Sequence, residues 1–155
     1  MTEFDYLDLC FDKWAALPVT DLTRTQQIVV DVNSALGVVS GNGFQNFWSA
    51  YEDESERIIE SFRLANLSDL ADVLEKTRFL LDEIKHCTNY EEVLRIVDAH
   101  EDKLNPLFRV FTSKEPDARE ALLQFFTTEV QLTNSVRRTG GAADARRFGD
   151  SAVRR

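Results

Sequence analysis

Few residues in this 155-residue chain are of soft-metal ligand types: two histidines, His86 and His100, and two cysteines, Cys10 and Cys87. His86 and Cys87 are adjacent, and neighbouring side chains on a helix point about 100° apart, so they do not readily share one ion. No metal site and no cofactor is expected. The cysteines lack a paired spacing and are expected to be reduced, buried thiols. His100 falls at the edge of an apolar stripe made by Val93, Ile96 and Val97, where a half-buried histidine bonded to a carboxylate or carbonyl is the ordinary outcome. Among 27 acids, Glu129 stands out, because the spacing Leu122, Phe125, Phe126, Glu129, Leu132 sets it on an apolar stripe. A carboxylate so placed either pairs with a cation from another helix or acts as an acid or base in a pocket.

A second chemical candidate is Gly41-Asn42-Gly43, which opens onto Phe44, Gln45, Asn46, Phe47 and Trp48. Glycines before a helix can cradle an anion, but this segment lacks the Lys-Ser/Thr of a phosphate loop and follows a helical pattern rather than a strand. Its expected role is architectural. Glycine permits a positive φ, so that one helix ends and the next starts at a sharp angle.

The elements that must position these groups are helical throughout, since apolar residues recur at helical spacing and no segment alternates with period two. The expected architecture is all-α: one compact bundle of about six to seven helices over 1–136, then a flexible arginine-rich tail over 137–155. The first stripe is Phe4, Leu7, Cys10, Phe11 and Trp14, ended by Pro18. Thr20 or Asp21 is expected to cap a helix that buries Leu22, Val29, Val32, Leu36 and Val39, with Asn33 on the same face. The acidic run from Glu52 to Glu56 precedes a helix burying Ile58, Ile59, Phe62 and Ala65. Ser68 is expected to cap one long helix reaching about Lys85, with Leu70, Leu74, Thr77, Leu81 and Ile84 inward. Thr88 to Glu91 has capping-box spacing and starts a helix with Tyr90, Val93, Leu94, Val97 and Leu104 inward, interrupted by Pro106. The last helix is expected from about 115 or 116 to 136.

On a single helix over 68–85, Asp69, Asp72, Glu75, Asp82 and Glu83 fall within one arc opposite the buried leucines, and Phe79 projects from its middle. An apolar group ringed by acids has the form of an interface anchor with a polar rim, so these six residues are the candidate partner-binding set. The alternative is that Phe79 is covered by a neighbouring helix and the acids are merely solvated.

The formal charge of −9 is unevenly divided. Residues 137–155 carry six Arg against Asp144 and Asp150, a net +4, which leaves −13 on residues 1–136. A body of that sign repels nucleic acid and anionic membranes and attracts basic proteins, or its charge serves solubility alone. No apolar run approaches the roughly 18 to 20 residues of a membrane span, and the acidic start (Glu3, Asp5, Asp8) is unlike a secretory leader, so a soluble cytoplasmic protein is expected.

The segment Val32–Tyr51 resembles the DNA mimic protein 19-like domain family, long catalogued as a domain of unknown function. The family shows Asn-Gly-Gly-Phe-x-Gln-aromatic-aromatic after a long helix. Here Gly41, Asn42, Gly43, Phe44, Asn46, Phe47 and Trp48 carry the likeness, with the Asn and first Gly exchanged and Asn46 in place of Gln. The resemblance covers about residues 22–85. It implies an all-α, acidic, non-enzymatic bacterial domain, some of whose members imitate DNA phosphates to occupy a DNA-binding protein. The resulting expectation is a non-enzymatic module that engages a basic protein, either a DNA-binding protein or, as an immunity or antitoxin-type inhibitor, a toxin. An enzyme using Glu129 or His100 is the remaining alternative.

Overall fold

The computed structural model describes residues 2–144, with side chains described through residue 130. Among these residues there are nine α-helices, one short 3-10 turn and no strand: α1 (Glu3–Ala15), a 3-10 turn (Val19–Asp21), α2 (Arg24–Asn42), α3 (Phe44–Ala50), α4 (Ser55–Leu64), α5 (Ser68–Lys76), α6 (Phe79–Ile84), α7 (Tyr90–Ala99), α8 (Glu101–Ser113) and α9 (Glu115–Asp144). The compact all-α fold is as expected. The count exceeds six or seven because two expected helices are each broken in two.

The centre is α2, which packs against α1, α3, α4, α8 and α9. Val29, Val32, Ala35, Leu36 and Val39 are fully buried along it, the face that periodicity predicts. Its start differs from expectation. Thr20 and Asp21 lie in the 3-10 turn, while Thr23 caps the helix through a reciprocal pair with Gln26: the Gln26 N–H donates to Thr23 Oγ1 at 3.3 Å, and the Thr23 N–H donates to Gln26 Oε1 at 2.9 Å. Leu22 and Asn33 are only half-buried. The buried polar group of α2 is instead Asp31, 4% exposed.

Between α2 and α3 a single residue makes the corner. Gly43 has φ +84°, its N–H donates to the Val39 carbonyl at 2.8 Å, and a Cβ there would lie 2.5 Å from Gln45 Oε1. Gly41 is helical with open space around it. Side-chain amides of Gln45 and Asn46 both donate to the Asn42 carbonyl, at 2.8 and 2.6 Å, so they satisfy a carbonyl that the end of α2 leaves without a helical partner. The corner delivers Phe44, Phe47 and Trp48 into the core, where Phe44 meets Phe108 and Phe111 edge-on.

The expected helix over 68–85 breaks at Thr77-Arg78. Thr77 donates its hydroxyl to the Leu74 carbonyl at 2.8 Å and accepts the Trp48 indole N–H at 3.0 Å, and the backbone tightens to i→i+3 bonds from Thr77 and Arg78. Helix α5 also starts without a side-chain cap, Ser68 being its first residue. The break alters the register of α6. Leu80 is fully buried, whereas Leu81, expected inward, is half-buried.

The second break comes at His100 rather than Pro106. Pro106 lies inside α8, and both it and Asp102, whose carbonyl loses a partner, are exposed. Capping of α7 is shifted by one residue: Asn89 accepts from the Glu92 N–H, and Glu92 accepts from the Thr88 N–H. Tyr90 and Leu94, expected inward, are exposed. Helix α9 begins with Glu115-Pro116 and buries Ala118, Leu122, Leu123 and Phe126. It runs past the expected end at Val136, through Gly140 and Gly141, to Asp144. The rest of the expected tail, 145–155, and the side chain of Leu132 lie outside what is described.

Candidate functional site

The six candidate partner-binding residues are divided by the α5–α6 break, and five of them have contacts within the fold. Asp69 pairs with Lys114, and that bond holds its carboxyl below the usual range. Glu75 accepts from Arg78 at 2.8 Å and lies 3.6 Å from Arg63, and the Arg78 bond comes first among the causes that hold its carboxyl low. Arg78 also reaches Glu56 and lies 5.5 Å from the Trp48 ring, while Arg63 reaches Glu60 at 3.8 Å. Together these form a ladder of alternating charges across α4 and α5. Asp82 pairs with Lys85 at 2.8 Å, which holds its carboxyl low as well. Glu83 meets His100 Nε2 at 3.0 Å. Asp72 is exposed, with no ion pair among the described residues.

Phe79 is half-buried. The His100 ring lies edge-on at 4.9 Å, and Lys103 Nζ is 3.6 Å from the ring centroid. A neighbouring corner, the α7–α8 junction, therefore covers the expected anchor.

His100 and Glu129 are set in different parts of the fold. His100 belongs to the Glu83–Phe79 cluster, while Glu129 is half-buried and lines two open cavities. One, of 360 Å³, includes Leu64, Asn66 and Phe125; the other, of 350 Å³, includes Tyr6, Trp14, Gln26 and Phe126. The pair does not form a single acid–base site. Among the described residues no group of three His, Cys, Asp or Glu could hold a metal, and no helix is long and apolar enough to cross a membrane. Cys10 and Cys87 are free and half-buried.

The glycine corner, expected to be architectural, also lines a cavity of 460 Å³. Asn42, Gln45 and Asn46 face Tyr90, Leu104, Asn105 and Phe108 across it. No charged residue lines it among the described residues.

A feature missed by periodicity is the Asp31 cluster. Arg57 of α4 holds Asp31 in a bidentate pair, with Nη2 at 3.0 Å and Nε at 3.2 Å, and Ser61 donates at 2.8 Å. The signal in the sequence is an acid set directly between Val30 and Val32, one residue from the expected buried stripe.

Helix α1 is the second surprise. Only Leu7 is buried, with Trp14 half-buried against Phe126 at 5.5 Å, while Phe4, Tyr6 and Leu9 are 46%, 52% and 60% exposed. At about 100° per residue the outward arc reads Phe4, Ala15, Asp8, Asp12, Asp5, Leu9, Lys13, Tyr6: three carboxylates flanked on both sides by apolar groups, with Lys13 between Leu9 and Tyr6. Asp5 is tied to Thr2 in a capping box, and the Thr2 backbone N–H holds its carboxyl below the usual range. No acid of α1 makes an ion pair among the described residues, in contrast to α5 and α6. Beside the arc, Tyr6, Leu123, Phe126 and Val130 line a largely apolar cavity of 350 Å³ between α1 and α9.

Comparison with known proteins gives no match among family models, curated proteins or solved structures.

Proposed function

We propose that this chain is a non-catalytic binding module that engages a basic protein through acidic helix faces. The observation that carries the proposal is the outward arc of α1, where Asp8 and Asp12, with no ion pair among the described residues, stand between exposed Phe4 and Leu9. Soluble proteins ordinarily bury large apolar groups or scatter them singly, and an apolar patch beside free charge matches the anatomy of an interface with a polar rim. The set on α5 and α6 contributes less free charge, since Asp69, Glu75 and Asp82 already face cations of their own fold and Glu83 is bonded to His100.

A magnitude defines the partner. Asp5 to Asp12 spans about 10 Å along the helix. Duplex DNA of that length bears about six phosphate charges, against three carboxylates here. The arc therefore suits a basic segment of a protein better than a surface shaped to read a whole duplex. A DNA-binding protein and a toxin both fall in this class.

The test is capture from native lysate on the immobilised full chain, with stepwise salt elution, beside an acidic control protein of equal charge. Retention of basic proteins above the control supports binding, and competition by duplex DNA separates a DNA-binding partner from a toxin. Equal retention on chain and control would remove the proposal.

A further inference from the structure

The face of α1 that this proposal assigns to a basic partner is matched by a segment of the chain itself. Residues 145–155 contain Arg146, Arg147, Arg154 and Arg155 against Asp150, a net +3, and include Phe148 and Val153. Helix α1 contains Glu3, Asp5, Asp8 and Asp12 against Lys13, a net −3, with Phe4, Tyr6 and Leu9 exposed. Charge and apolar content are complementary in both. We infer that residues 145–155 dock on the outward arc of α1 and occupy it in competition with the basic partner.

Length permits the return. Tyr6 and Val130 line the same cavity, so α1 and α9 are neighbours there. From Val130, α9 continues to Asp144, adding about 21 Å at its helical rise. The eleven residues that follow span up to about 36 Å when extended, enough to cover that distance back to Tyr6 and Leu9. The end of the segment is the part long enough to return: Arg154 and Arg155 then face Asp8 and Asp12, which have no ion pair among the described residues, and Val153 meets the apolar cavity of Tyr6, Leu123, Phe126 and Val130. Intramolecular attachment makes such a contact effective even when each ion pair is worth little, because the tether sets a high local concentration.

This inference rests on the proposed use of the α1 face, and its test separates the two. Hydrogen exchange of the α1 amides is measured in the full chain and in a full-length variant with Arg146, Arg147, Arg154 and Arg155 replaced by Ser, at low salt and at about 1 M salt, where charge attraction is screened. The expected result is several-fold slower exchange of α1 in the unaltered chain at low salt. That difference should disappear at high salt and in Asp8→Asn/Asp12→Asn. Denaturation midpoints of all chains, measured alongside, exclude a general loss of fold. Capture by the arginine-to-serine variant should rise. If α1 exchange is the same in both chains while basic proteins are still captured, the tail inference fails and the proposed function stands. If protection of α1 persists in the variant and grows with protein concentration, the occupant is a second copy and the inference is overturned.

Discussion

Trp48 donates its indole N–H to Thr77 Oγ1 at 3.0 Å, and Thr77 in turn donates its hydroxyl to the Leu74 carbonyl at 2.8 Å. This relay joins the aromatic corner of α3 to the point where α5 gives way to α6. Thr77→Val keeps the shape and removes both bonds, leaving a fully buried indole donor unpaired. An unsatisfied buried donor costs about 1–3 kcal/mol. Urea denaturation should show a loss in that range, and Thr77→Ser should retain most of the stability. A neutral Thr77→Val would mean that the relay does not hold the break.

The corner itself gives a paired prediction. Gly43→Ala forces a Cβ into the left-handed region and against Gln45 Oε1, a strain of about 1–2 kcal/mol. Gly41→Ala fills open space in a helix and should be neutral or gain up to about 1 kcal/mol. Comparable losses at the two positions, by thermal or urea unfolding, would contradict the assignment of the turn to Gly43.

At the α2–α4 contact, Arg57→Ala leaves a 4%-exposed carboxylate with Ser61 alone. The bonds to a charged group are worth about 1.5–3 kcal/mol. Because Arg57 is itself partly exposed, the lower end is expected. The double variant Asp31→Asn/Arg57→Ala should cost less than the sum of the single changes, as a double-mutant cycle would measure.

Stability should fall on acidification. Glu75 and Asp69 have folded-state carboxyls held below their ordinary values by Arg78 and Lys114, so each contributes stability above the unfolded-state value, near 4, that is lost as pH drops through the lower folded value. Both groups are partly exposed, which limits each contribution to about 1 kcal/mol or less. Urea midpoints between pH 7 and pH 3 should decline, and Glu75→Gln should flatten the decline. An unchanged slope in Glu75→Gln would exclude that ladder as a source.

Much of the fold was legible because burial and helical period coincide. The stripes of α2 and α4 and the Phe44, Phe47 and Trp48 cluster lie where spacing sets them. The break at Thr77 was hidden, since a threonine on the inward stripe reads as continuing helix until its partner Trp48, distant in sequence, is known. The acidic arc over 68–85 assumed an unbroken helix and is correspondingly divided. Pro106 misled in the opposite sense, because its place on the exposed side allows α8 to continue. Periodicity treated Phe4 as inward, but the stripe of α1 is wider than the surface available to cover it, so Leu7 alone is buried. The α1 surface became visible only through that shortage.

The most direct measurement of the central claim is the affinity of a purified, captured basic protein for three full-length chains: the unaltered one, Asp8→Lys/Asp12→Lys on α1, and Asp72→Lys/Asp82→Lys on α5 and α6. Reversal of rim charges acts on encounter and salt dependence, and two reversals at the contact should weaken binding about tenfold. The account predicts that loss, with a shallower salt dependence, for the α1 variant and little change for the other. Equal affinity of the α1 variant and the unaltered chain would contradict it.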